Sequence, residues 1–244
     1  MKKRALLLSG GVNDAIDHQR YRNDIEAFFR VLTEHWGYDE NDVRLHVGRG
    51  SPLRFNTASG QHVLDAHSAR PQHVLEGLEW LAELGTDDRL FFMATDHGVP
   101  EGISLWGKGN YLTPQRLTAI LGESKATKVL VFGQCHSGVF GLHVPPKSVV
   151  CAACTANEAS RHRRPPMPGM QPQYDEFLYQ FAGALAGKYP DGQALAENGG
   201  LAKPPNITIA EAFRYARDMD AWYPNSFETP QLFDPDNLAA HLTL

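Results

Sequence analysis

A histidine and a cysteine each stand just past a short apolar run. Leu90–Thr95 (LFFMAT) leads into Asp96-His97-Gly98, and Val129–Gly133 (VLVFG) leads into Gln134-Cys135-His136-Ser137-Gly138. Such compact runs, closed by small and polar residues, predict buried strands. In an open parallel sheet, neighbouring strands deliver the residues at their carboxyl ends into one crevice, so the two side chains are placed to meet. The chemistry this permits is nucleophilic. A free thiol ionises at about pH 8.5, so Cys135 needs a base, and His97 would take its proton and later return it to a leaving amine. The N–H groups of Gly98 and Cys135 are the candidate oxyanion donors, since a glycine beside the histidine lets backbone approach a substrate. A cysteine alone is more often a small buried hydrophobe; the second strand end with its histidine favours catalysis here. Asp96 reads as a strand-end cap. His136 follows the nucleophile and points the other way, so it reads as a packing or loop-anchoring residue.

These strand ends need a sheet to hold them. The chain has 244 residues, 42% of them hydrophobic, which is enough for one substantial core. A net charge of −5 argues against a general affinity for nucleic acid or anionic membranes. Met1-Lys2-Lys3-Arg4 resembles the head of a signal peptide, but only Ala5–Leu8 are apolar behind it, which points to a first strand instead. No apolar run approaches the roughly 20 residues of a membrane span. Three cysteines do not make a disulfide scaffold, and a cytoplasmic location is the expectation.

Strands are expected at Ala5–Ser9, Asp42–Val47, Leu90–Thr95, Val129–Gly133 and Ser148–Ala153. Helices are expected from Tyr21 to His35 (Ile25, Phe28, Phe29 and Leu32 inward, Gly37 ending it), from Pro71, from Thr113-Pro114 to Leu121, over Tyr174–Ala186 and over Ile209–Met219. Gly48–Arg70, Ser160–Gln173 and Lys188–Pro205 read as loops, the second mobile and exposed, and a small hairpin is expected around Ile103. An extended tail runs through Pro230-Gln231-Leu232-Phe233. Strand alternating with helix predicts an α/β/α sandwich in a single domain over 1–244: a mostly parallel sheet of about six strands with helices on both faces.

A strand ending in Asp96-His97-Gly98 and a later one ending in Cys135-His136-Ser137-Gly138 resemble the caspase-like cysteine peptidases, the group of legumains, metacaspases and caspases. The likeness covers most of the chain and is nearest the legumain-type branch. It implies the caspase-like fold, a Cys135/His97 dyad and endopeptidase activity on a protein or peptide without a cofactor. Tyr21-Arg22 looks like that branch's Tyr-Arg, where the arginine lines the pocket for the residue before the cleaved bond. Thr155-Ala156-Asn157, with Glu158 and Ser160, resembles its segment past the following strand, and Tyr174-Asp175 sits where it carries a pocket aspartate. Paired in a pocket, Arg22 and Asp175 would bind a polar amide, or an acidic side chain if Arg22 dominates. The resemblance also implies that Gln134 touches an acidic substrate side chain. Two positions depart from the branch: His136 replaces the acidic residue after the nucleophile, and Arg20 falls where an asparagine assists the histidine. Asparagine-directed specificity therefore does not carry over.

The other motifs point elsewhere only weakly. Cys151-x-x-Cys154 lacks a second ligand pair and lies in an apolar stretch, which favours two buried thiols over a metal or redox site. The Arg161–Arg164 cluster reads as a solvated loop, a flap over the cleft or a self-cleavage segment rather than a nucleic-acid site. A catalytically silent caspase-like binding module and a peptide ligase or transpeptidase using the same acyl-enzyme are the alternatives. An activator or a homodimer would be compatible with either.

Overall fold

The fold is that of a computed structural model, which describes residues 1–57, 60–164, 167, 169–195 and 201–244. In chain order the elements are β1 (Lys3–Ser9), α1 (Gln19–Arg30), β2 (Val43–Val47), β3 (Leu53–Thr57), β4 (Gly60–Leu64), α2 (Pro71–Ala82), β5 (Arg89–Thr95), β6 (Gly98–Val99), β7 (Gly102–Ser104), β8 (Tyr111–Leu112), α3 (Pro114–Leu121), β9 (Thr127–Phe132), β10 (Ser148–Ala152), α4 (Glu176–Ala186), α5 (Ile209–Met219) and β11 (Gln231–Phe233). Six strands form the central sheet in the order β11-β10-β9-β5-β1-β2. All its pairings are parallel except β10 with β11. The expected α/β sandwich is what forms.

The continuous apolar runs follow from this burial on two sides. Leu7, Phe91, Met93, Val129 and Val131 join the core under α1, α4 and α5. Their neighbours Leu6, Leu8, Phe92, Ala94, Leu130 and Phe132 join a second core under α2 and α3. Because successive strand residues face opposite ways, this register also decides which side each strand-end residue serves. The helix starts follow local rules. Pro71 and Pro114 open α2 and α3, the Thr113 hydroxyl accepts from Arg116 N, and Thr208 with Glu211 forms a complete capping box on α5. After α1 the chain makes a π turn over Val31–His35 and reverses at Gly37, whose φ of +68° suits glycine.

Three stretches differ from the loop expectations. Gly48–Arg70 contains the β3–β4 hairpin, with Leu53 and Phe55 buried and the Phe55 ring 5.5 Å from Phe29. The alternation of apolar residues in Leu53–Phe55 is a strand signal that the surrounding Gly, Pro and Ser obscured. The passage after His97 is a three-stranded antiparallel sheet, β6-β7-β8, rather than a single hairpin. Ser160–Gln173 holds no helix or strand among its described residues, yet its arginines are anchored. Arg163 stacks 3.9 Å over the Tyr179 ring and Arg164 4.3 Å over Trp222. The loop expectations at 58–59, 165–166, 168 and 196–200 lie outside the described residues. Among the described residues, no helix is long and apolar enough to cross a membrane.

Candidate active site

β5 and β9 are direct neighbours, with Ala94 level with Phe132, and Gly133 N–H extends the ladder to the Ala94 carbonyl at 2.8 Å. The next residues on each strand therefore leave the sheet side by side. The contact is close: a Cβ built on Gly98 would lie 2.0 Å from the Cys135 carbonyl oxygen. Gly133 is also constrained, because a Cβ there would fall 2.3 Å from Leu178 of α4. The two glycines let the strand ends and the covering helix approach.

His97 is set by its backbone and by one ring nitrogen. Asp96 turns the chain at φ +92°, and its carboxyl accepts from Ser9 Oγ at 2.8 Å, Gly11 N at 2.7 Å and His97 N at 2.7 Å. Burial pushes the Asp96 carboxyl up to about 7 against the pull of those donors. The strand-end reading of Asp96 holds: it ties the end of β5 to the loop after β1. His97 Nε2 lies 3.2 Å from the Ile16 carbonyl, so Nε2 carries the proton and Nδ1 is left as an acceptor. Tyr21 and His18 contact the ring edge-on, at centroid distances of 5.6 and 6.0 Å. Burial, then the positive charges of His18 and Arg20, hold the imidazole below its ordinary pKa despite the Ile16 bond. At neutral pH it is an uncharged base.

Cys135 is half-buried with a free thiol. Its Sγ is 3.6 Å from Ser160 Oγ, and no hydrogen bond joins it to His97. The Cys135 N–H has no acceptor among the described residues, which leaves it for an oxyanion. His136 takes the left-handed conformation at φ +59°. Its Nδ1 pairs with the Ala156 carbonyl at 2.9 Å and its N–H donates to the Glu158 carbonyl at 2.8 Å. It anchors the loop, as its position after Cys135 suggested.

The expected pocket residues are distributed differently. Gln134 is 0% exposed, with its Cγ against Gly98 and neither amide atom hydrogen-bonded among the described residues. Arg22 does not pair with Asp175; its guanidinium binds Asp17 Oδ2 at 2.7 Å. The partner of Asp175 is Arg20, whose Nε donates to Oδ1 at 2.9 Å while Nη2 reaches the Tyr21 hydroxyl at 2.5 Å. Residues two apart on a helix face different ways, so α1 turns Arg20, and not Arg22, toward Asp175.

Under Arg20 lies a buried acid pair. Thr95 Oγ1 is 3.1 Å from both Asp24 Oδ2 and Asp175 Oδ2. One hydroxyl donates one proton, so the connected arrangement runs from a neutral Asp24 through Thr95 to an ionised Asp175 and Arg20. Burial and then the Asp175 charge raise Asp24 well above the carboxylate range, and burial lifts Asp175 to about 6 against the pull of Arg20. Sequence reading gave Asp24 and Thr95 no role; an acid on the apolar face of α1 was the available signal. Cys151 and Cys154 are both buried, and burial raises both thiols.

No protein-family model matches this sequence, and no curated protein matches it significantly.

Proposed function

We propose that the chain is a cysteine endopeptidase of the caspase-like group, with Cys135 as nucleophile and His97 as base. The observation that carries this reading is the pairing of a half-buried thiol and a neutral imidazole on adjacent strand ends, the imidazole's Nε2 proton tied to the Ile16 carbonyl. In this reading Nδ1 takes the thiol proton as a peptide enters between them, and the thiolate adds to the carbonyl carbon. The Cys135 and Gly98 N–H groups receive the developing oxyanion. Collapse expels the amine, protonated by His97, and leaves a thioester that water hydrolyses. Arg20, beside the same cleft, takes over the pocket role expected of Arg22. Three free thiols suit a reducing compartment such as the cytoplasm.

Digestion of a diverse peptide library, read by mass spectrometry beside Cys135→Ala, tests the proposal. Cuts confined to the unmutated protein are expected, and equal cutting by both would overturn it. Products joined to added amines would turn the reading toward a ligase. A silent binding module is the second reading, favoured by the missing thiol–imidazole hydrogen bond. It calls for an ordinary rate of iodoacetamide labelling at Cys135, where a poised dyad labels fast.

A further inference from the structure

A second pair of buried carboxyls lies on the C-terminal segment, and the peptidase reading makes no use of it. Asp220 is 1% exposed and Glu228 0%. Each carboxyl has one oxygen facing backbone donors. Asp220 Oδ1 accepts from Trp222 N at 2.8 Å and Tyr223 N at 3.3 Å, and Glu228 Oε1 accepts from Arg161 N at 3.0 Å. The remaining oxygens, Asp220 Oδ2 and Glu228 Oε2, are buried, and no donor among the described residues reaches either. Each carboxyl acts on the other's ionisation, and a proton held between these two orphaned oxygens is the bond that would satisfy both.

That bond would close a clasp around the loop beside Cys135. Ser160 touches the Cys135 thiol, and the next residue, Arg161, donates to Glu228. One residue further along the tail, Thr229 grips the Glu158 carboxylate through both N–H (3.1 Å) and Oγ1 (2.9 Å). The Glu158 carbonyl in turn accepts from His136 N and the Cys154 thiol. Trp222 completes the fastening, with Nε1 on the His162 carbonyl and its ring under Arg164.

We propose that Asp220 and Glu228 form a proton-dependent latch that holds the C-terminal segment on the Ser160–Arg164 loop and opens when the shared proton is lost. Losing it leaves two charges against each other in a site closed to water, a cost relieved by separating the segments. The surroundings favour retention. Glu176 of α4 adds negative charge although Arg163 lies 3.5 Å from it, the Cys154 thiol faces Glu228, and Arg161 offers Glu228 its N–H while its guanidinium turns to the Phe227 carbonyl. Burial first, then Asp220, raises Glu228 well above the ordinary range, and burial lifts Asp220 to about 6. A carboxyl raised in the closed state stabilises it fully in acid and loses that contribution as pH rises. Above pH 6, opening releases one proton, so its equilibrium constant rises up to about ten-fold per pH unit until Glu228 ionises in place.

The test uses the full chain carrying Cys135→Ala, which separates it from any peptidase activity. Tryptic cleavage after Arg161 and Arg163 is followed between pH 6 and 8.5 in this protein and in the same protein carrying Glu228→Gln. In E228Q an amide donates to Asp220 while its oxygen still accepts from Arg161, so the latch stays closed without a titrating proton. The ratio of the two rates, which cancels trypsin's own pH dependence, is expected to climb by up to ten-fold per pH unit. Asp220→Asn, whose amide donates to Glu228, should flatten the profile in the same way. A ratio independent of pH, or a D220N profile as steep as that of the unmutated pair, would overturn the latch.

Discussion

The Cys135 carbonyl oxygen occupies the space where a side chain on Gly98 would begin. A Cβ there would stand 2.0 Å from that oxygen and 2.6 Å from Gln134 Cγ. The backbone beside His97 and the backbone of Cys135 are therefore in contact, and the contact needs a glycine. Gly98→Ala should push the two strand ends apart. Overpacking of this kind costs about 1–3 kcal/mol, and here the displaced atoms are backbone, so the upper part of that range is expected. Peptidase activity should fall much further than stability, because a shift near 1 Å at reacting groups costs about 10²-fold. Thermal melts and library turnover on one sample check both; unchanged turnover in a folded G98A would contradict the contact.

In the proposed dyad, His97 sets the acid limb of the rate profile. Burial, His18 and Arg20 hold its pKa below 6.5, so kcat/KM should rise with pH to a midpoint below that value. His18→Ala removes one neighbouring charge and should move the midpoint upward. The same shift links to stability. A base whose pKa is lowered on folding favours the native state above its unfolded value, and that contribution is lost as pH falls through the folded pKa. A midpoint above 6.5, or one indifferent to His18, would exclude His97 as the titrating base.

The sheet was legible because each of its parallel strands is an apolar run and each run ends in residues with no place in a core. Cys135 and His97 were legible for that reason. Arg20 and Asp175 were not paired in advance because the pocket role fell to Arg22 by resemblance, and only the folded chain brings Asp175, at the start of α4, against Arg20. Gln134 is a parallel case. It lies two residues past the end of β9, and its expected pocket role came from a likeness to another sequence pattern rather than from any local rule. The Asp220–Glu228 pair brings the tail against a loop about 60 residues earlier, a distance at which periodicity carries no information.

Asp96 holds the turn that presents His97, and its role is backbone geometry rather than proton transfer. In Asp96→Asn one oxygen remains to accept, so part of the set formed by Ser9, Gly11 and His97 loses its acceptor. Each such loss costs about 1–3 kcal/mol. Activity should fall while the acid limb keeps its midpoint, since His97 is the group that titrates. A displaced midpoint in D96N would mean that the carboxyl, 3.9 Å from His97 Nε2, acts on the imidazole itself and not only on the turn.

The chain from Asp24 through Thr95 and Asp175 to Arg20 makes opposite predictions for its two ends. Asp24 is neutral in the fold, so Asp24→Asn replaces an O–H donor to Thr95 with an N–H donor and adds no charge. Its cost should stay within about 1 kcal/mol. Arg20→Gln leaves the buried Asp175 without its cation, and breaking a buried ion pair from one side costs about 3–5 kcal/mol. The pH dependence separates them further. Asp24, raised on folding, stabilises the native state in acid and loses that contribution as pH rises through its folded pKa. D24N should therefore gain stability relative to the unmutated chain as pH increases, whereas R20Q should be weakened most where Asp175, lifted to about 6, is ionised. Urea unfolding of both variants between pH 5 and 9 reads the two slopes, and parallel slopes would mean that Asp24 is charged in the fold.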